Sequence, residues 1–343
     1  MELLKEIDQI HKKFPIVDAH SDILFDVVRQ RQLGRKRVIE TDYLPKFIEG
    51  GVNIIVASLF IDDMFIPEMA LRRALDQIAS LHMEMDESKD KIMLCKSYKD
   101  IEKAMKDEKI AILLSFEGVE PLYNDLNLLR VFYELGVRMV GLCWSRRNYA
   151  ADGCYFTPMK EGKKGGLTAF GVSLIEMAEA LGMFIDVSHL NDEGFWEVLE
   201  IAKKPIIASH SNCRSLVPVM RNLTDEQIKA IAKKKGVIGM NIANKFVAKE
   251  GNLANTEKLV DHIDYIVNLV GIHHVGFGFD FCDPLRKYDL PNPNPSEDKF
   301  FDTLSGHGKI KSITKELINR KYKEEDIKLI LGGNFLRIYK EVL

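Results

Sequence analysis

Three histidines and three carboxylates stand out because they sit where short apolar runs end. His20 and Asp22 close IVDAHSD, Glu117 closes ILLSFE, His189 closes MFIDVSH, His210 closes PIIASH and Asp280 closes VGFGFD. Imidazole nitrogen and carboxylate oxygen are donors that zinc accepts. In His-x-Asp on an extended segment, positions i and i+2 point the same way, so His20 and Asp22 can face one ion. Glu117 offers two oxygens and can bridge two ions, with His189 and His210 completing the second. Two divalent ions about 3.5–4 Å apart would activate a bridging hydroxide and polarise a carbonyl. Asp280 is then free to act as general acid and base. A lone histidine near a strand end is more often a structural hydrogen-bonding residue, and His-x-Asp alone is a weak signal. Glu117 is harder to set aside, because an acid closing an apolar strand is rarely buried without a partner.

These residues need a scaffold that brings distant strand ends together. Eight strand-length apolar runs cover 16–20, 52–60, 110–118, 137–144, 183–189, 205–211, 236–242 and 274–280. Apolar runs without strict alternation suit strands buried on both faces, as in parallel sheets. The segments between them carry helical patterns, at 67–85, 171–181, 224–235 and 256–270 among others. Gly136, Gly182, Gly236 and Gly271 follow helical patterns and precede strands, as helix-terminating glycines do. Eight strand-then-helix units predict a single (β/α)8 TIM barrel spanning residues 1–343, with a metal site at its C-terminal mouth. An open doubly wound sheet would favour GxGxxG after the first strand, where this chain has DAHSDI. Two long loops, 145–168 and 284–308, would lie at the mouth and shape it.

Composition narrows the partners. Lys plus Arg is 48 and Asp plus Glu is 51, for a net charge of −3, which lacks the basic footprint of a nucleic-acid binder. No run reaches the roughly 20 apolar residues of a membrane helix. The N-terminal MELLKEIDQIHKKFP has no signal-type apolar core, and the five cysteines form no CxxC pair. A cytoplasmic location is the expectation. Cys143, Cys213 and Cys282 fall near strand ends and read as small buried apolar residues. His273 and His274 would start the last strand, at the face away from the mouth. His11, His82 and His262 read as surface residues on helices, and His307 lies in the last long loop, within reach of the mouth.

At the candidate ligands the chain resembles the zinc-dependent membrane (renal) dipeptidase family of amidohydrolase-type barrels. The matching stretches are VDAHSD, SFEG, GLTAFG, DVSHLND, ASHSN, VGFGFDF and GGNFLR, in family order across nearly the whole chain. The resemblance places first-ion ligands on His20 and Asp22, the bridging carboxylate on Glu117, second-ion ligands on His189 and His210, and the catalytic aspartate on Asp280. It implies two Zn2+ ions, hydrolysis of dipeptides, a homodimer, and an arginine at Arg221 that clamps the substrate carboxylate. Taken alone, Arg221 would read as a surface residue, although its planar fork suits a carboxylate. Two departures bear on the substrate. Trp144 stands where a histidine would help hold the substrate carbonyl, and Cys282 and Asp283 replace an aspartate and a glycine. They leave open a second amidohydrolase reaction on the same core, with an N-acyl amino acid, a lactone or another small carboxylated amide as substrate.

Overall fold

A computed structural model describes residues 2–156, 162, 164–288 and 299–343. The strands are β1 (Ile16–Ser21), β2 (Val52–Phe60), β3 (Ile92–Leu94), β4 (Ile110–Glu117), β5 (Val137–Gly141), β6 (Phe184–Asp186), β7 (Ile207–Ala208), β8 (Val237–Met240) and β9 (Val275–Phe277). All pairings are parallel, in the order β1-β2-β4-β5-β6-β7-β8-β9. The ring closes between β9 and β1 through an Asp280 N–H donated to the His20 carbonyl at 3.2 Å. A Phe279 N–H donated to the Asp18 carboxylate at 2.9 Å supports the closure. The result is a nearly closed eight-stranded (β/α)8 barrel, as expected.

The ninth strand is an addition. β3 pairs with Ile110–Ile112 of β4, while β5 pairs with the upper part, Leu114–Glu117. Since β2 takes one whole edge of β4, β3 and β5 share the other. With only four residues between Lys91 and Lys96, β3 left too short an apolar run to register as a strand. It brings an extra helix, Tyr98–Lys106, capped by the Ser97 side chain. The expected strands at 183–189, 205–211, 236–242 and 274–280 shorten to three, two, four and three residues. Their C-terminal residues leave the ladder and turn into the mouth.

Burial on both faces explains why alternation is hidden in the sequence. Ile54 and Val56 of β2 pack with Ala111 and Leu113 of β4 in the barrel interior. Ile55 and Ala57, with Ile112 and Leu114, face the surrounding helices. The inward parity continues upward to Ser58 on β2 and to Ser115 and Glu117 on β4. The C-terminal helix Asn334–Val342 contributes Phe335, Ile338 and Tyr339 to the interior cluster. The helix at 224–235 is Asp225–Lys233, with Thr224 and Gln227 in a reciprocal capping box. The helices Ala169–Leu181 and Thr256–Val270 also match, and the one at 67–85 runs Ala70–Glu87.

Gly136 and Gly182 end their helices in the left-handed conformation, as expected. At the helix before β8 the left-handed residue is Lys235, φ +59°. Gly236 serves close packing instead, since a Cβ there would meet the Ile206 carbonyl oxygen at 2.1 Å.

His11 and His262 correct the surface reading. Both are buried: His11 bonds the Gly50 carbonyl and Thr314, each at 2.7 Å. His262 bridges the Cys213 amide and the Val247 carbonyl. His82 is exposed. His274 bonds the Gly236 carbonyl at the start of β9, at the end of the barrel opposite the mouth. Parts of both long loops, 157–161, 163 and 289–298, lie outside the described residues.

Candidate active site

The barrel brings all six candidates to one mouth. His20 Nε2 lies 3.7 Å from Asp22 Oδ1, 3.6 Å from Glu117 Oε1 and 3.9 Å from Asp280 Oδ1. Glu117 Oε1 is also 3.0 Å from His189 Nε2 and 3.8 Å from His210 Nε2. The two histidine Nε2 atoms are 2.9 Å apart. His189 and Asp280 both hold positive φ, +70° and +59°. Each such residue costs about 1–3 kcal/mol and persists only where its surroundings hold it. Here the His189 carbonyl accepts the Cys154 N–H at 2.7 Å, and the Asp280 N–H is the one that closes the barrel. This turned backbone aims both side chains inward.

A second ring of residues, not singled out in the sequence, orients the first. Ser145 Oγ meets His189 Nδ1 at 2.9 Å. Ser209 Oγ meets His210 Nδ1 at 2.7 Å and donates to Asp186, which also accepts the Ser209 and Ser188 amides. Ser58 donates to Asp22, and Asn241 Nδ2 donates to Asp280 Oδ2 at 2.9 Å. Beneath His20, Asp18 accepts His307 Nε2 at 2.7 Å. His307 is thus buried below the mouth and does not line it. The signal for Asp18 and Asp186 was present, since they precede His20 and His189 by two and three residues. Ser58, Ser145 and Asn241 carried none.

Charge at the mouth is finely opposed. Burial disfavours a charged His20 ring, but the carboxylates of Glu117, Asp22 and Asp280 outweigh it and push the ring up to about 10. Burial and the neighbouring Arg221 guanidinium push His189 down to about 3. Burial pushes Asp280 up, and pushes Asp22 up with help from Glu117. Burial also works to raise Glu117, but His20 and His189 hold it low.

The donor set fits divalent cations. His20 Nε2 and Glu117 Oε2 are buried with no hydrogen-bond partner. Among the described residues, two donor triads lie within 4.8 Å: His20, Glu117 and His210, and His20, Asp22 and Asp280. Two imidazole nitrogens facing each other and one carboxylate form an arrangement that a cation stabilises.

Above the donors opens a cavity of about 620 Å³, lined by Asp22, Glu117, His189, Arg221 and Asp280 on its floor. Arg221 corrects the surface reading, since it is only 3% exposed. Its Nη2 donates to the His210 carbonyl at 3.1 Å and lies 3.4 Å from His189 Nε2. Trp144 forms a wall, tilted over His189 with ring centres 5.9 Å apart. Cys282 also lines the cavity, its Sγ 3.8 Å from Asp280 Oδ1, so it is not a buried apolar residue like Cys143 and Cys213.

A family model described as membrane dipeptidase, peptidase family M19, matches residues 4–343. The chain belongs to this family of metallo-dipeptidases. Membership implies a divalent metal, for which the mouth supplies the donors. A Klebsiella pneumoniae relative, named as an uncharacterized protein in the pqqA 5′ region, is 34% identical over 270 residues. That match covers 78% of this chain and 94% of the relative. Human dipeptidase 3 is 29% identical over 359 residues, covering 100% of this chain and 68% of its own. A Rhodobacter sphaeroides metallopeptidase, solved with a phosphinate mimic of L-Ala-D-Ala, has a TM-score of 0.84 at 23% identity. That match covers 96% of this chain and 99% of that one, and shows a common fold. No described helix is long and apolar enough to cross a membrane.

Proposed function

We propose that this membrane dipeptidase family member hydrolyses the amide bond of dipeptides, including those with a D-residue at the C-terminal position. His20, Asp22, Glu117, His189 and His210 would hold two divalent ions, zinc foremost. Bound there, such ions would activate a water molecule and polarise the scissile carbonyl. The chain's own residues do the rest. Arg221 presents a guanidinium fork beside the donors and binds the substrate's terminal carboxylate, which limits the reach to two residues. Asn241 fixes Oδ2 of Asp280, leaving Oδ1 turned toward His20. Asp280 can there take a proton and pass it to the leaving amine. Trp144 covers the His189 side and limits water access.

The observation that carries this reading is the meeting of three imidazoles and three carboxylates at the barrel mouth, with His189, Asp22, Glu117 and Asp280 lining a cavity that also holds a buried arginine. The phosphinate dipeptide mimic carried by the Rhodobacter sphaeroides protein supports the D-residue. Trp144 is the feature favouring the second reading, because an indole has a single donor and no titratable nitrogen in this range. That reading is hydrolysis of another small carboxylated amide, an N-acyl amino acid or a lactone. A panel of L,L- and L,D-dipeptides, N-acyl amino acids and lactones, run on enzyme of measured metal content, separates the two. Turnover confined to the non-dipeptides would overturn the first reading. The proposal includes a homodimer, which sedimentation tests, and a cytoplasmic location, which cell fractionation tests.

A further inference from the structure

Arg221 and the aromatic wall of the cavity are not independent. The Arg221 guanidinium carbon lies 5.5 Å from the centre of the Phe246 ring. Phe156 stacks on Phe246, with centres 6.1 Å apart and planes 10° apart. Phe300 meets Phe246 edge-on at 6.3 Å. All three rings line the cavity, and Phe156 is 47% exposed. An aromatic ring left this open beside a polar floor gains most from an apolar group placed against it.

A carboxylate held by Arg221 fixes where the second residue's Cα must lie, one bond from the carboxyl carbon. A side chain on that Cα would lie within reach of Phe246, the ring against the Arg221 guanidinium, and of Phe156 and Phe300 packed on it. We propose that Phe156, Phe246 and Phe300 form the subsite for the C-terminal side chain of the dipeptide, and that the enzyme selects a large apolar or aromatic second residue. The inference rests on the dipeptidase reading and on Arg221 as the carboxylate site. It adds which residue is selected, and by which rings.

The outer cavity also carries Lys245 and Arg286. An acidic second residue is therefore the competing substrate, and the test includes it. The probes are Ala-Gly, Ala-Ala, Ala-Leu, Ala-Phe and Ala-Asp, with Phe-Ala and Gly-Ala to vary the first position. For the unmodified enzyme, kcat/KM should rise at least about tenfold from Ala-Gly to Ala-Phe, the scale of discrimination an apolar pocket provides. In Phe156→Ala and Phe246→Ala the ratio of Ala-Phe to Ala-Gly should fall by a similar factor. The ratio is the readout because partial misfolding lowers both substrates together and cancels. A flat series, a preference for Ala-Asp, a preference carried by the first residue, or a ratio unchanged in Phe156→Ala would each overturn the inference. Failure to cleave any dipeptide would instead overturn the dipeptidase reading beneath it.

Discussion

His189 and His210 reach the mouth from the ends of β6 and β7, and their Nε2 atoms stand 2.9 Å apart across Glu117 Oε1. Two nitrogen lone pairs cannot face each other at that distance unless a proton or a metal ion lies between them. Ser145 and Ser209 take up the Nδ1 atoms on the far sides, which presents Nε2 of each ring to the mouth. The pair is thus oriented from behind so that both Nε2 atoms face one point beside Glu117, where the proposed cation would lie.

Removal of that cation should have two effects. Treatment with a chelator should abolish hydrolysis and lower the melting temperature, because a ligand bound only by the folded state stabilises it. Restoring zinc should recover both. Glu117→Gln should weaken metal binding at least about a hundredfold, more than losses of outer hydrogen bonds usually cost. Metal content measured after dialysis checks this, and full occupancy in Glu117→Gln would argue against a bridging role.

Arg221→Lys keeps the charge and loses the planar fork. For substrates with a free C-terminal carboxylate, kcat/KM should drop about 10–100-fold, the scale of a lost charged hydrogen bond. C-terminally amidated dipeptides should show little difference between the two enzymes. Equal losses on both substrate types would mean that Arg221 acts on His189 and His210 and not on the substrate.

Asp186 is buried and does not line the cavity, yet it anchors Ser209, which holds His210. Asp186→Asn should reduce metal affinity about 10–100-fold. Competition against a chromophoric chelator measures it. Unchanged affinity would show that the Asp186–Ser209 link does not orient the ring.

Asp18 and His307 join the base of β1 to the chain after β9, where the barrel closes. Both are buried, at 0% and 4% exposure. His307→Leu leaves the Asp18 carboxylate without that donor and should cost about 3 kcal/mol. The urea midpoint reads the effect directly, and an unshifted midpoint would remove His307 from the account of closure.

Asp302 accepts the amides of Cys282 and Asp283 just beyond Asp280. Burial nonetheless pushes its carboxyl up to about 7. A carboxyl raised in the fold favours the protonated form, so its contribution is full below the unfolded value near 4 and is lost as pH rises through 7. Asp302→Asn should therefore flatten the fall in stability between about pH 4 and 7, a fall on the order of a few kcal/mol. Denaturation series at several pH values compare the slopes, and parallel slopes would refute the assignment.

The sequence by itself determined the barrel and the set of groups at its mouth. Apolar runs recurring between helical patterns set the topology, and polar residues closing those runs marked one end. The stretches around His20, Glu117, His189, His210 and Asp280 were specific enough to indicate the family. What the sequence left undecided depends on contacts across the ring. Arg221 is buried only because its segment folds under the His210 carbonyl, and no local pattern encodes that. His307 lies 289 residues from Asp18 and pairs with it only through barrel closure. β3 gains its place from an edge of β4 that β5 leaves free. The turned backbone at His189 and Asp280 has no compositional signal, since neither is glycine. Local periodicity reports which faces are apolar, but the aim of a side chain and the partner it meets depend on residues distant in the chain, and the tertiary structure alone brings those together.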